Sequence, residues 1–213
     1  MDAIVFDWDG TLVDSFEPLY RSNIAVLASY GIEVDSVTYR QAYSPDWRRM
    51  YVDLGVPIAS IEEAAERWRE AYGFGEGTVA FPGVGGALRR LAASGLRLGL
   101  VTAGDRRVVA EQARTFDLGR YLSVRVHADD LPFAKPHPEP LRHALKRLGV
   151  SDPGRATYLG DVPDDMRMAR AVGARAVGIV GRLGTPDELF DAGAHDVHGS
   201  VVAWVDAFLA GQP

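Results

Sequence analysis

The segment that decides the fold reads Ala3-Ile-Val-Phe-Asp7-Trp-Asp9-Gly10. Its first four residues are apolar, which is typical of a strand buried on both faces of a parallel sheet. Because side chains alternate along an extended chain, Asp7 and Asp9 are expected to leave the strand end on the same side. Two carboxylates this close repel each other unless a cation lies between them, so the segment predicts a site for Mg²⁺ and a phosphate-bearing ligand. The alternative is an ordinary turn, since Asp and Gly often follow a strand.

Composition places the chain among globular proteins. Its 213 residues are 47% hydrophobic and 24% charged, which suits one core and a smaller second domain. No apolar run approaches the roughly 20 residues of a bilayer span, and a strand that starts at residue 3 leaves no room for a signal peptide, so a cytoplasmic location is expected. The absence of cysteine excludes disulfides and thiolate ligands. A net charge of −6 without a basic cluster argues against nucleic acid or a membrane as partner, and nothing specifies an oligomeric state.

Two different patterns follow the opening segment. Residues 15–79 read as helices, with Ser44 before Pro45 as a predicted helix start and Ser60 with Glu63 as a predicted capping box. Three glycines between Gly73 and Gly77 predict a hinge. From residue 80 onward, helical and strand patterns alternate, which predicts a doubly wound, Rossmann-like parallel sheet. The predicted organisation is therefore an α/β core of residues 1–14 and 80–213, with an inserted α-helical cap domain of residues 15–79.

Polar residues follow several of the predicted strands. They are Asp7 and Asp9 after the first strand, Thr102 to Asp105 after the next, and Asp161 to Asp165 after a later one. Ligands of doubly wound sheets bind outside the carboxyl ends of the strands, so these residues are expected to share one site. Lys135, between a strand and a helix, adds a positive charge in a proline-bounded loop.

This set of side chains suits phosphoryl transfer. A carboxylate nucleophile divides the reaction into formation and hydrolysis of an aspartyl-phosphate, and Asp7 is the predicted nucleophile. Asp9 is placed to protonate the leaving alkoxide and then to deprotonate the attacking water. A cation would cancel the repulsion between the anionic nucleophile and the anionic substrate.

With these residues, the chain resembles the haloacid dehalogenase-like (HAD) hydrolases, in the phosphatase branch with an inserted helical cap. Asp7-Trp-Asp9-Gly-Thr-Leu-Val-Asp14-Ser15 is similar to the first motif of that family, Thr102 to the second, and Lys135-Pro to the third. Gly160-Asp161 with Asp165 is similar to the fourth. The resemblance extends over essentially the whole chain, and four motifs occur in order.

The resemblance implies roles for these positions. Mg²⁺ would be bound by Asp7, Asp161 and the backbone carbonyl of Asp9. Thr102, Ala103 and Lys135 would bind phosphate, the second through its backbone N–H because it replaces the asparagine frequent there. Asp165 would support the metal waters or the lysine from outside the ligand shell.

Each of these candidate site residues also has a structural interpretation, in which it serves the fold and takes no part in a site. Thr102 alone would be a helix N-cap, Lys135 alone a solvated lysine, and the acidic residues near Asp161 favourable partners of a helix dipole. Asp164 is interpreted in this structural way. His127 and His137 are ambiguous between loop and substrate-binding residues.

A few positions of the sequence distinguish a phosphatase from the other activities of the family and from a non-catalytic function. Dehalogenases of the family have a non-acidic residue where Asp9 stands, and phosphonate hydrolases need a lysine in the cap, which residues 15–77 lack. A sugar phosphomutase remains an alternative, although the cap has no histidine. A non-catalytic phosphate-binding module is the second alternative, which the presence of Asp9 beside the nucleophile disfavours.

The substrate would be set by the cap. Its candidate contacts are two aromatic side chains and three arginines: Tyr43, Trp47, Arg21, Arg48 and Arg49. Equally, these arginines could be solvated helix faces. A cap of this size suits a small phosphorylated acid or sugar, and phosphoglycolate is the compound usually named for such sequences.

Overall fold

The computed structural model describes residues 1–211. The chain divides into two compact units, one of Met1–Asp14 with Val79–Pro213 and the other of Ser15–Thr78. The first unit contains the strands β1 (Ala3–Phe6), β2 (Val13–Asp14), β3 (Val79–Ala80), β4 (Arg97–Val101), β5 (Val124–Val126), β6 (Ala156–Gly160), β7 (Arg175–Ile179) and β8 (Asp196–His198).

Six of these strands form one parallel sheet in the order β5-β4-β1-β6-β7-β8. β1 lies in its middle, and all four of its residues are fully buried. The chain adds strands first on one side of β1 and then, from β6, on the other. A ligand crevice is expected at this change of direction, beyond the carboxyl ends of β1 and β6. The predicted doubly wound α/β fold is confirmed.

Helices cover both faces of the sheet. They are α5 (Val84–Ala93), α6 (Arg106–Thr115), α7 (Glu139–Arg147), α8 (Pro163–Val172), α9 (Pro186–Asp191) and α10 (Val201–Ala210). One apolar cluster joins α5, α6 and α10 to the sheet and includes Leu88, Val109 and Val205. A second cluster joins α7, α8 and α9 to the sheet and includes Leu141 and Met166. The clusters fix the frame from which the loops at the strand ends project.

The second unit is helical. It consists of α1 (Phe16–Ser29), α2 (Ser36–Ala42), α3 (Trp47–Asp53) and α4 (Ile61–Tyr72) around its own apolar cluster. A buried polar network crosses this cluster, because the amide of Asn23 donates to Tyr39 Oη at 2.9 Å and accepts from Tyr51 Oη at 2.7 Å. After α4, the glycines at 73, 75 and 77 all have positive φ, which side chains with a Cβ rarely adopt.

One predicted helix start is wrong, and the other, with Ser60 directly before α4, is right although its predicted capping box is missing. α3 begins at Trp47, because the carboxylate of Asp46 accepts the N–H of Arg49 and so caps the helix in place of Ser44. The capping box at Ser60 does not form among the described residues. A 3₁₀ turn, Ile58–Ser60, leads directly into α4 and keeps Ser60 out of the extended conformation that a capping residue needs.

Four short elements were not predicted. They are the antiparallel pair of β2 and β3, the helix α9 and the edge strand β8. Each has too few residues to display a hydrophobic period. None of the helices within residues 1–211 combines the length and apolar character that crossing a bilayer requires.

Candidate active site

The carboxyl ends of the central strands bring together the side chains that the sequence placed there. Asp7 and Asp9 follow β1, Thr102 follows β4, and Asp161 follows β6. Lys135 lies in the loop between β5 and α7. Asp7, Thr102, Asp161 and Lys135 are all buried, although each is polar or charged. Buried charges require partners, so the contacts among these residues define the site.

Lys135 is held between two carboxylates. Its Nζ lies 2.8 Å from Asp7 Oδ1 and 2.8 Å from Asp165 Oδ1, and the residue is only 3% exposed. Tyr158 supports this arrangement, because its hydroxyl lies within hydrogen-bond distance of Asp165 Oδ1 and of the Val101 carbonyl, at 3.2 and 2.9 Å. The lysine is therefore fixed against the predicted nucleophile.

Asp165 is fully buried at the start of α8. Its Oδ2 accepts the N–H of Val162 at 3.3 Å while its Oδ1 contacts the lysine. The carboxylate thus ties Lys135 to the loop that carries Asp161. Asp164, by contrast, pairs with Arg167 at 2.7 Å on the surface, as its structural interpretation expects.

Burial and neighbouring charge shift the protonation equilibria of the site. Burial, reinforced by the charges of Asp165 and Asp9, raises the pKa of Asp7 to about 7, even though Lys135 opposes this shift. Burial and then the charge of Asp7 raise the pKa of Asp161 well above its usual range. Burial alone would lower the pKa of Lys135, yet the carboxylates of Asp165 and Asp7 raise it above its ordinary value. The site thus holds a stable ammonium and an excess of carboxyl groups.

This excess fits a divalent cation. Carboxylate oxygens of Asp7, Asp161 and Asp165 all lie within 4.8 Å of one another. When ionised, these three carboxylates face one ammonium and leave two uncompensated negative charges. A hard cation with oxygen ligands, such as Mg²⁺, supplies that charge. The donor set therefore suits the metal that the sequence predicts.

Three glycines let the backbone approach Asp161 closely. A Cβ added at Gly10 would overlap its carboxylate, and one at Gly181 would lie 2.7 Å from Oδ2. A Cβ at Gly184 would overlap the carbonyl of the same aspartate. Sequence reasoning missed the loop 181–184, although two glycines just past a strand at the ligand-binding edge were a usable signal.

The turn after β4 has the form expected of an anion-binding loop. The hydroxyl of Thr102 accepts the N–H of Gly104 at 2.9 Å, and the N–H of Ala103 has no acceptor among the described residues. A Cβ built on Gly104 would lie 3.2 Å from Thr102 Oγ1 and 3.4 Å from Asp9 Oδ2, so the two side chains flank the same turn. The N-cap of α6 is Asp105, whose carboxylate accepts the N–H groups of Arg107 and Val108, and not Thr102.

The two histidines named from the sequence lie in the loop between β5 and α7. His127 is buried, with its Nδ1 3.3 Å from Asp130 Oδ2, and burial lowers its pKa to about 4. His137 is exposed and stacks on Phe133 with 4.1 Å between the ring centroids.

The predicted specificity residues all belong to the helical unit. Arg48 lies over the ring of Trp47 at 4.3 Å and pairs with Glu62 at 3.5 Å, and Arg49 pairs with Asp53 at 3.4 Å. Tyr43 packs edge-to-face on Tyr39. An Nη of Arg21 lies 3.7 Å from the position that a Cβ on Gly77 would occupy. All three arginines are exposed.

Comparison with known proteins agrees with the fold and identifies the family. The signature of the family described as haloacid dehalogenase-like hydrolase matches residues 4–179. A phosphoglycolate phosphatase of Escherichia coli (strain K12) is 39% identical over 83% of this chain and 80% of its own. Among solved structures, a predicted phosphatase from Clostridium acetobutylicum is similar with a TM-score of 0.87, at 22% identity over 98% of each chain. A candidate β-phosphoglucomutase from Thermotoga maritima is similar with a TM-score of 0.76, at 26% identity over the full length of both.

The chain belongs to the haloacid dehalogenase-like hydrolase family. Within that family it is an enzyme of the phosphoric monoester hydrolase class.

Proposed function

We propose that the protein is a Mg²⁺-dependent phosphatase that hydrolyses a small phosphorylated metabolite through an aspartyl-phosphate on Asp7. The observation that carries this proposal is the buried contact of Asp7 with Lys135, beside Asp161 and at the end of the central strand. A buried carboxylate at a ligand-binding edge, paired with a cation and surrounded by further carboxylates, suits attack on an electrophile that is itself anionic.

In the first half of the reaction, a carboxylate oxygen of Asp7 forms a bond to phosphorus while the bond from phosphorus to the leaving alkoxide breaks. Asp9 gives its proton to that alkoxide. In the second half, Asp9 removes a proton from water, the water oxygen attacks the phosphorus, and phosphate leaves as Asp7 is regenerated. Both residues return to their starting protonation states.

The phosphate oxygens would be held by the turn after β4 and by the lysine. The hydroxyl of Thr102 and the N–H of Ala103 are the donors of the turn, and Lys135 adds the positive charge. Asp165 keeps the lysine in place. Mg²⁺, bound by Asp7, Asp161 and the carbonyl of Asp9, would neutralise charge on the transferring phosphoryl group.

For the substrate we propose a small phosphorylated acid, with phosphoglycolate as the first compound to test. The support is the 39% identity to the E. coli enzyme of that name. In this proposal, residues 1–14 and 80–213 provide the chemistry and residues 15–79 act as a cap that provides specificity through Arg21, Tyr43, Trp47, Arg48 and Arg49. The glycines between Gly73 and Gly77 would serve as its hinge.

A phosphomutase is the second candidate, favoured by the similarity to the Thermotoga maritima structure. A mutase must retain a phosphorylated intermediate between two transfers, and the chain has no histidine in residues 15–79 to assist this. A non-catalytic module would have no use for the acid–base carboxylate of Asp9.

One assay tests the proposal and separates these alternatives. The purified protein is given p-nitrophenyl phosphate, phosphoglycolate or β-glucose 1-phosphate, each with Mg²⁺ and with excess chelator. We expect Mg²⁺-dependent release of inorganic phosphate, fastest from phosphoglycolate. Conversion of β-glucose 1-phosphate to its 6-phosphate isomer without phosphate release would identify a mutase. Inactivity on all three compounds would favour the binding module.

A further inference from the structure

Trp8, the residue between the two catalytic carboxylates, makes a buried contact with α6. Its indole Nε1 donates to Gln112 Oε1 at 2.7 Å, and the two residues are 0% and 4% exposed. The surroundings are apolar, because Trp8 belongs to the cluster that joins α5, α6 and α10 to the sheet. A buried indole N–H usually has an acceptor, and Gln112 provides it across 104 positions of the sequence.

Trp8 also fixes the backbone around both carboxylates. Its N–H donates to Asp7 Oδ1 at 2.7 Å, the oxygen that also contacts Lys135. Its carbonyl accepts the N–H groups of Thr11, Leu12 and Val13 at 3.3, 2.9 and 3.1 Å. The backbone on either side of Asp9 is therefore anchored on this one residue.

Gln112 links this loop to the phosphate-binding turn. α6 begins directly after that turn, at Arg106, and Gln112 lies about two helical turns further on. It interrupts an apolar stripe formed by Val108, Val109 and Ala113. An apolar side chain would satisfy packing here, but only a directional acceptor fixes the rotation of the Trp8 ring relative to α6.

We propose that Gln112 is a positioning residue for catalysis: through Trp8 it holds the carboxylates of Asp7 and Asp9 in register with the phosphate-binding turn. This role rests on the proposed phosphatase function. Misplacement of a reacting group by about 1 Å can cost about 100-fold in rate. Since Asp9 protonates the leaving group, the loss depends on how much protonation that group needs.

The test compares phenyl phosphate with p-nitrophenyl phosphate, which share the phenyl ring and the phosphate but differ in leaving-group basicity. Phenolate needs the proton from Asp9 more than p-nitrophenolate does. In Gln112→Leu, we expect kcat/KM to fall by about 100-fold for phenyl phosphate and by about tenfold for p-nitrophenyl phosphate. Gln112→Glu keeps an acceptor oxygen, so the ratio of kcat/KM for the two substrates should return to its wild-type value.

Two further variants make the result specific. Trp8→Phe removes the donor and should give the same change in the ratio, and adding Gln112→Leu to it should cause little further loss. Val205→Ala opens a cavity in α10, within the same apolar cluster, and should lower the Tm while leaving the ratio unchanged. If Gln112→Leu does not fold, the ratio in Trp8→Phe decides.

The positioning role would be overturned if Gln112→Leu and Trp8→Phe lowered kcat/KM equally for both substrates and Val205→Ala gave the same pattern. The contact between Trp8 and Gln112 would then be structural. Unchanged rates in Gln112→Leu would overturn the positioning role as well. An inactive wild-type protein would instead overturn the proposed phosphatase function, so the two failures are distinguishable.

Discussion

The site at the sheet edge and the arginines of the helical unit hold their charges in different ways. Lys135 is 3% exposed and lies 2.8 Å from each of two buried carboxylates. The side chain of Arg48 is 57% exposed and lies 3.5 Å from Glu62, which is more exposed still. Water and salt weaken interactions between exposed charges but act little on buried ones. Removing a charge should therefore be costly in the first region and mild in the second.

The largest effect is expected from Asp7→Asn. The amide is nearly isosteric and keeps the fold, but it cannot act as nucleophile, so turnover of p-nitrophenyl phosphate should fall by about 10⁴-fold or more. Circular dichroism and Tm would establish that the variant is folded. Near-normal rates in a folded Asp7→Asn protein would exclude this residue as the nucleophile.

A second large effect is expected at the proposed metal site. Chelation, or Asp161→Asn, should lower activity by about 100-fold or more, and Ca²⁺ should not substitute because its larger, looser coordination disturbs the in-line geometry. Asp164→Asn is the matched control, since that carboxylate lies three residues further on, in the first turn of α8, but pairs with Arg167 at the surface. Full activity in excess chelator would contradict the assignment.

The dependence of thermal stability on pH should report the protonation of the buried carboxylates more directly than catalytic rates do. Burial raises the pKa of Asp7 to about 7. A raised pKa favours the protonated folded state, so this contribution to stability is present below about pH 4 and is lost as the pH rises to 7. Mg²⁺ needs the ionised carboxylates and should compensate only above that range.

We therefore expect a fixed Mg²⁺ concentration, about 100 times the Kd measured at pH 8, to raise the Tm by roughly 5–10 °C at pH 8. The same concentration should raise the Tm by little at pH 5, because protonated carboxyl groups bind the cation weakly. Differential scanning fluorimetry with and without chelator measures this shift. Asp161→Asn should lose most of the shift at pH 8. Equal shifts at both pH values would show that the cation binds away from these carboxylates.

The sheet and its site were predictable because their signals are strong. Four consecutive apolar residues marked β1, and the polar residues of the motifs follow strands whose parallel carboxyl ends meet at one edge. Asp7, Thr102 and Asp161 needed only this topology to come together, whereas Lys135 reaches them from the loop between β5 and α7. Asp7, Lys135 and Asp165 are buried, so the position of each is fixed by its contacts with the others.

Other features depend on distances that sequence patterns do not encode. Nothing in the spacing of Trp8 and Gln112 indicates a hydrogen bond, because it arises from how α6 packs on the sheet. Asp165 was assigned to the metal waters or to the lysine, and its 2.8 Å contact is with Lys135. Asp46 caps α3 and Asp105 caps α6, whereas the sequence suggested Ser44 and Thr102 as caps. Several residues near a helix start can serve as N-cap, and the sequence alone does not decide between them.

The smallest effect, and the one that examines the exposed region alone, is expected from Arg48→Ala and Arg49→Ala. Their ion pairs with Glu62 and Asp53 are exposed, and such pairs contribute about 0–1 kcal/mol, so both variants should fold with nearly the wild-type Tm. If either arginine binds the carboxylate of an acidic substrate, KM for phosphoglycolate should rise by about tenfold, as loss of a charge-assisted hydrogen bond implies. KM for p-nitrophenyl phosphate should stay constant, because that substrate has no second charged group.

Arg67→Ala is the matched control, since Arg67 is exposed on α4 and pairs with Glu63 at 2.8 Å but has no proposed contact with substrate. An equal rise on both substrates would assign the arginines a structural role, and an unchanged KM on both would mean that they only face solvent.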